Sequence, residues 1–249
     1  MAALKGKTLI VSGASRGIGK ALAVQLAAEG VNLVLNARSK DSLLESRDAC
    51  LSRGGTAEAV PGDIAAEGTA ASLVEAARDI GGFFGFVHVA GVLHPGPTLW
   101  ELSPGDFAQI FAASVNGAHQ LISHSYPVLL EKKEGMAVFF GSGAAEKVQP
   151  GIGAYCAAKA AEEHLARQTA QEAPEISVLI YRPGIVETRM QVQARQAEGG
   201  AARSLHRVFR SWKEEGMLIE PDESAAALVK LMQGDLRSTH GKTVDVRDM

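Results

Sequence analysis

Thr8-Leu9-Ile10-Val11 is followed at once by Ser12-Gly13-Ala14-Ser15-Arg16-Gly17-Ile18-Gly19, and then by a helix-forming stretch. An apolar β-branched run that turns through three glycines into a helix has a specific physical use. Gly13 permits a tight turn, Gly17 lets backbone approach a bound pyrophosphate, and Gly19 lets the helix pack against the strand. The phosphates are expected at the helix N-terminus, where uncommitted N–H groups and the helix dipole favour negative charge. Glycine-rich turns also arise by chance, so the weight lies in the placing between strand and helix.

Working outward, short runs rich in Val, Ile and Leu alternate with longer helical patterns. The runs are Thr8–Val11, Asn32–Asn36, Ala57–Val60, Phe86–Val89, Ala137–Phe140, Ser177–Tyr181 and Thr243–Val246. Several are apolar at consecutive positions, which suits parallel strands covered on both faces. Helical patterns fall near Gly17–Glu29, Asp41–Arg53, Ala66–Asp79, Pro104–Leu130, Ala154–Glu172 and Asp222–Met232. The alternation predicts an α/β fold: one Rossmann-type, doubly wound parallel sheet of about seven strands with helices on both faces. No repeat or linker divides the 249 residues, so a single domain over 1–249 is expected.

One helix start is well signed, with Ser103 as N-cap, Pro104 at the first helical position and Asp106 at the positive end. The helix after it is apolar or small beyond the stripe of Phe107, Ile110, Phe111, Ser114, Ala118, Leu121, Ile122 and Ser125. A helix covered on two sides suits a homodimer or homotetramer.

The bulk numbers exclude several classes. Hydrophobic residues make up 46% and charged residues 21%, an ordinary globular balance, and the net charge of −3 gives no electrostatic case for nucleic acid. No stretch approaches the ~20 apolar residues that cross a bilayer, and Leu9–Val11 is too short for a signal peptide, so no membrane partner is expected. Cys50 and Cys156 are too few for a disulfide framework and fit a reducing, cytoplasmic setting. No metal site is expected: among seven histidines, His119 and His124 stand five apart, off one helix face.

The second strand ends Leu35-Asn36-Ala37-Arg38-Ser39. An NAD site would place an acidic residue near this point to accept from the ribose 2′-hydroxyl. A guanidinium stands there instead, and Arg16 in the glycine loop can converge on the same spot. Two arginines around a 2′-phosphate predict NADP(H) as cofactor.

A catalytic constellation follows the fifth strand. Tyr155 comes thirteen residues after Ser142, and Lys159 four residues after Tyr155. Positions i and i+4 share a helix face, so phenol and ammonium project into one volume. A free Tyr has a pKa of about 10, and a neighbouring cation is expected to lower it toward working pH.

The glycine spacing together with Ser-x12-Tyr-x3-Lys resembles the short-chain dehydrogenase/reductase family. The resemblance implies reduction of a carbonyl by hydride transfer. Tyr155 would be the proton donor, Ser142 would hydrogen-bond the carbonyl oxygen, and Lys159 would hold the nicotinamide ribose. Asn116, in Ser114-Val115-Asn116-Gly117, matches the family asparagine that anchors a relay water. By the same resemblance Asp63 and Ile64 lie against the adenine, although Asp63 also reads as a helix N-cap. Ala90 and Gly91 approach the cofactor. The resemblance also implies that the turn Pro183-Gly184-Ile185, with Thr188, holds the carboxamide.

The chain departs from the family at His88-Val89-Ala90-Gly91, where the usual pattern ends Asn-Ala-Gly. Val89 cannot make the missing side-chain hydrogen bonds, so some bracing of the sheet is expected to be lost. Residues 187–216 stand where the family has its substrate lid. Leu205, Val208, Phe209 and Trp212 form one helical stripe there, with Gly199-Gly200 as a hinge. His94, Ser142, Phe209 and Trp212 are the substrate candidates, and the apolar stripe favours a hydrophobic ketone, diketone or aldehyde. Arg203, Arg207 and Arg210 keep open an acidic carrier, hence 3-oxoacyl-[acyl-carrier-protein] reduction or a coenzyme A moiety. A non-catalytic NADP(H)-sensing protein is the alternative of another class.

Overall fold

The computed structural model describes residues 4–249. The strands are β1 (Thr8–Ser12), β2 (Asn32–Ala37), β3 (Ala57–Pro61), β4 (Phe83–His88), β5 (Met136–Phe140), β6 (Ser177–Arg182) and β7 (Lys242–Asp245). They form one sheet in the order β3-β2-β1-β4-β5-β6-β7, parallel throughout. The strand order reverses beside β1, which opens a crevice between the β1 and β4 carboxyl ends. All of β1 and β5 is buried, as expected for strands covered on both faces.

The helices are α1 (Gly17–Ala28), α2 (Lys40–Leu51), α3 (Thr69–Ile80), α4 (Pro104–Phe111), α5 (Gly117–Lys132), α6 (Gly153–Glu172), α7 (Arg189–Arg195), α8 (Ala202–Glu214) and α9 (Pro221–Met232). One face of the sheet packs Leu22 and Leu26 of α1 with Leu228 of α9. The other packs Leu73 of α3, Leu121 and Leu129 of α5 and Ala166 of α6. Each leucine taken fully out of water contributes about 1.5–3 kcal/mol, and this two-sided core holds the crevice rigid. Among the described residues, no helix is long and apolar enough to cross a membrane.

Several boundaries differ from the sequence expectation, and those around β4, α3 and the helix from Pro104 have a physical cause. β4 begins at Phe83 rather than Phe86 and ends before Val89. Gly85 hides that start, and it is needed because a Cβ there would collide with the Met136 carbonyl of β5. α3 begins at Thr69 after Gly68, and Asp63 does not cap it: its carboxylate accepts from the Ala65 N–H at 3.0 Å. The long helix from Pro104 is split by a π turn at Ala112–Asn116, an extra residue that a 3.6-residue pattern conceals. Its start is as expected: the Asp106 N–H donates to Ser103 Oγ at 3.0 Å, with Pro104 in the first turn.

Candidate active site

The glycine loop adopts the shape that its sequence predicts. Gly13 has φ +69°, and a Cβ on it would stand 2.8 Å from the Ala90 nitrogen, so the β1–α1 turn abuts the Ala90-Gly91 segment. A Cβ on Gly19 would collide with the Gly13 carbonyl. Arg16 stands at the α1 N-cap in extended backbone, and its side chain does not cap the helix. The first-turn N–H groups of α1, at Gly17, Ile18 and Gly19, have no acceptor within the helix. Beside the buried Ser15 they form a cradle that fits a dinucleotide pyrophosphate.

Around the cradle lie the other cofactor candidates. Arg16 and Arg38 are both exposed, and the Ala14 N–H donates to the Asn36 carbonyl at 3.0 Å, joining their two segments. Ile64 is buried and Asp63 exposed just after β3. Across the loop, Thr188 Cγ2 lies 3.5 Å from where a Gly17 Cβ would be. Gly184 turns the Pro183–Thr188 segment at φ +82°, and the Ile185 carbonyl accepts from Ile219 N at 2.9 Å. Thr188 heads α7 with its hydroxyl uncommitted to the cap.

The structure brings Ser142, Tyr155 and Lys159 together. Ser142 follows β5, and its hydroxyl accepts from the Ala144 N–H at 3.1 Å. Lys159, 3% exposed, donates to the Phe140 carbonyl at 2.8 Å and to Glu162 Oε2 at 2.7 Å. Its ammonium lies 5.9 Å from the Tyr155 ring centroid. The Tyr155 phenol nonetheless titrates above its usual range. Burial raises it, Lys159 and Ser142 pull it down, and Glu162 pushes it back up. The expected lowering by Lys159 is therefore real but outweighed. Burial also works against the Lys159 charge, and Glu162, Tyr155 and Glu163 together overcome it, so the charged form is favoured. Asn116 is exposed at the end of the π turn. Two residues earlier, Ser114 is fully buried on the same turn.

Beneath Ser142, two neighbouring side chains brace the site. Glu163 Oε1 accepts from the Ser142 N–H at 3.2 Å and from Arg182 Nε at 2.8 Å, while Oε2 accepts from Arg182 Nη2 at 2.8 Å. Arg182 Nη2 also donates to Glu146 Oε1 at 2.7 Å. Neither Glu162 nor Glu163 is among the residues that the sequence singled out. The available signal was two acids at i+3 and i+4 from Lys159, hence on its face of the helix.

Val89 makes no side-chain hydrogen bond, as expected, but its backbone is braced from β1. Ser12 Oγ accepts from the Val89 N–H at 3.2 Å and the Ala90 N–H at 3.3 Å, and lies 2.8 Å from His88 Nδ1. A serine on the neighbouring strand thus ties down the backbone on either side of the Val89–Ala90 peptide.

The 187–216 segment is helical, as α7 and α8. Leu205 and Phe209 are buried with Ile152 and Ala194, and Trp212, Val208 and Tyr155 pack against them. The Phe209 and Trp212 rings lie 4.7 Å apart. Gly199-Gly200 is a stitched crossing instead of a hinge. The Gly200 N–H donates to Glu101 Oε2 at 3.0 Å, the Ala201 N–H donates to the Gly96 carbonyl at 3.0 Å, and a Cβ on Gly199 would stand 2.8 Å from Pro97 N. His94 lines a small cleft with Tyr155, Leu99, Ile110 and Ile152. Its Nδ1 is 3.4 Å from Asp106 Oδ1. Arg203 and Arg207 are exposed, whereas Arg210 Nη2 donates to the Arg195 carbonyl at 3.2 Å. Among the described residues, no cluster of His, Cys, Asp and Glu is able to hold a metal ion.

Comparison with known proteins agrees with this geometry. The chain is 31% identical over 256 residues to sepiapterin reductase of Rattus norvegicus, covering 96% of each protein. It is 29% identical over 213 residues to the NADPH-dependent pterin aldehyde reductase of Arabidopsis thaliana, covering 83% of this chain and 84% of that one. The crystal structure of a short-chain dehydrogenase/reductase from Saccharomyces cerevisiae superposes with a TM-score of 0.86 at 28% identity, over 97% of this chain and 96% of that one. The short-chain dehydrogenase family model matches residues 7–199. With the cradle, the crevice and the Ser142–Tyr155–Lys159 cluster in place, the chain belongs to the short-chain dehydrogenase family, enzymes that use a nicotinamide cofactor to oxidise alcohols or reduce carbonyls.

Proposed function

We propose that this protein is an NADPH-dependent carbonyl reductase that converts a small or medium hydrophobic ketone, diketone or aldehyde to the alcohol. The observation that carries the reading is the phenol of Tyr155. Half-buried, it faces Ser142 with the buried Lys159 ammonium 5.9 Å from its ring centroid, and desolvation favours its protonated form. Bound NADPH supplies the hydride. Tyr155 donates the proton to the carbonyl oxygen, and the Ser142 hydroxyl holds that oxygen in line. Lys159 has one N–H left that would hold the ribose, and its charge stabilises the phenolate left after proton transfer.

Preference for NADPH rests on Arg16 and Arg38 standing at the loop and at the end of β2, where an acidic residue would serve NAD. The related pterin aldehyde reductase is NADPH-dependent by name, which supports the same choice. The apolar wall of Ile152, Phe209 and Trp212 beside Tyr155 favours a hydrophobic substrate, covered by the 187–216 segment acting as a lid. The stacked Phe107 and Phe111 rings, the former 43% exposed, mark α4 as a face for a second copy in a homodimer or homotetramer. Two free thiols suit a reducing compartment such as the cytoplasm.

A panel of ketones, diketones and aldehydes, followed by NADPH absorbance, tests the reading. Turnover should be found with at least one hydrophobic carbonyl and be abolished in Tyr155→Phe, with NADPH binding retained. Turnover that survives in Tyr155→Phe overturns it.

A further inference from the structure

Glu162 is fully buried, one helical turn beyond Lys159 on α6, and the family pattern assigns it nothing. Its Oε2 accepts from Lys159 at 2.7 Å, while its Oε1 is buried with no hydrogen-bond partner. The Ser114 hydroxyl on the π turn faces it closely enough to favour the carboxylate, yet Ser114 Oγ also completes no hydrogen bond. A buried acid with one strong partner is costly to keep, since desolvation opposes its charge. Here that single partner is the ammonium that stands behind the proton-donating phenol.

We propose that Glu162 is a positioning residue that acts through Lys159, fixing the ammonium and offsetting part of its charge so that Tyr155 keeps a proton to donate across a wider range of pH. The proposal rests on Tyr155 being the proton donor. Of the three ammonium hydrogens, one is directed to the Phe140 carbonyl and one to Glu162, which leaves one for the ribose side of the site.

The charges around the pair allow the sign to be worked out. On α6 itself lie Tyr155, Cys156, Lys159 and Glu163. The charge of Glu163 is taken by Arg182 of β6, with Arg167 3.5 Å away. From β4, His88 faces Lys159, and burial drives its imidazole down to about 3, so it stays neutral. From the π turn and from the end of β5 come only the hydroxyls of Ser114 and Ser142. Glu162 is thus the acid that opposes Lys159 at the phenol. Burial pushes its carboxyl up to about 7 against the pull of Lys159. Over the alkaline range in which a phenol titrates, it is a carboxylate. A negative neighbour disfavours phenolate, and Glu163 and the forming phenolate still favour the Lys159 charge, so removal of Glu162 lowers the pH at which Tyr155 ionises.

The test is a spectrophotometric titration of the full chain with NADP+ bound. The absorbance of Tyr155 phenolate is isolated by subtracting the same titration of a Tyr155→Phe partner. In Glu162→Gln, ionisation should begin roughly one pH unit lower than with Glu162 in place. The alkaline fall of kcat/KM for reduction should move down with it, because reduction needs the protonated phenol. A purely structural role would lower stability and leave both unmoved. Glu162→Asp keeps the charge but withdraws it by one methylene, so it should move the titration the same way by less. If the Gln variant is not recovered folded, the Asp variant decides. A Tyr155 titration that stays in place or moves up overturns the proposal, even where Tyr155→Phe is inactive. Retained turnover in Tyr155→Phe instead overturns the reading beneath it.

Discussion

Ser12 Oγ and His88 Nδ1 lie 2.8 Å apart in a fully buried position that joins β1 to β4. Ser12 already accepts from the Val89 and Ala90 N–H groups, so its own hydrogen is directed to Nδ1. That assignment places the imidazole hydrogen on Nε2, which donates to the Ser114 carbonyl at 3.2 Å. One neutral histidine therefore ties the first strand, the cofactor-facing turn after β4 and the π turn into a single hydrogen-bonded unit.

His88→Leu should destabilise the fold by about 1–3 kcal/mol, because it removes both hydrogen bonds of a buried imidazole and leaves the Ser12 hydroxyl hydrogen without its acceptor. Urea denaturation at neutral pH measures this. The wild-type protein carries a related pH signature. The fold lowers the His88 pKa from 6.5 to about 3, so the unfolded chain binds the extra proton in that window. The contribution is complete above about 6.5 and is lost as pH falls toward 3. In His88→Leu this part of the acid sensitivity should vanish. An unaltered acid limb would show that His88 is not the group responsible.

Cofactor choice should follow the two arginines. Arg38→Ala removes one charge-assisted contact to a 2′-phosphate, worth about 1.5–3 kcal/mol. The kcat/KM for NADPH should then drop by roughly ten- to a hundredfold. That for NADH should change little, since NADH carries no phosphate at this position. Parallel kinetics with both cofactors give the answer, and an equal loss for the two would place Arg38 outside the phosphate site.

Glu163 and Glu146 share Arg182 but differ in burial. Glu163→Gln leaves a buried guanidinium with its bidentate partner weakened and should cost roughly 3 kcal/mol. Because the Ser142 N–H also rests on Glu163 Oε1, kcat should fall while NADPH affinity is retained. Glu146, exposed at the surface, should leave both properties unchanged when replaced by Gln. Thermal unfolding and steady-state kinetics on the two variants separate the roles.

Gly199→Ala tests the crossing at the base of the 187–216 segment. Gly199 has φ +124°, and a Cβ would stand 2.8 Å from both Gly96 C and Pro97 N. The substitution should destabilise by about 1–3 kcal/mol. It should also raise the KM for a hydrophobic carbonyl, because α8 carries Phe209 and Trp212 to the site. A free hinge would tolerate alanine with neither effect.

The chain's local order was legible because it depends on near neighbours. Consecutive apolar runs such as Thr8–Val11 mark strands covered twice, and the glycines at 13, 17 and 19 are demanded by a turn, a close approach and a packed helix. Tyr155 and Lys159 share a face through helical spacing alone, and Ser103 with Pro104 signs a helix start. The sequence by itself determined the sheet, the cradle and the Ser142–Tyr155–Lys159 cluster. Tertiary structure decided what surrounds them, because contacts between residues far apart along the chain leave no periodic trace. Ser12 and His88 meet across two strands and brace the turn after β4. The π turn adds a residue within an otherwise helical pattern and brings Ser114 toward Glu162. Burial then turns Glu162 from an ordinary helix acid into the counter-charge of Lys159, which alters the titration of Tyr155. A pKa is set by desolvation and by every charge within reach, and only the folded chain brings those groups together.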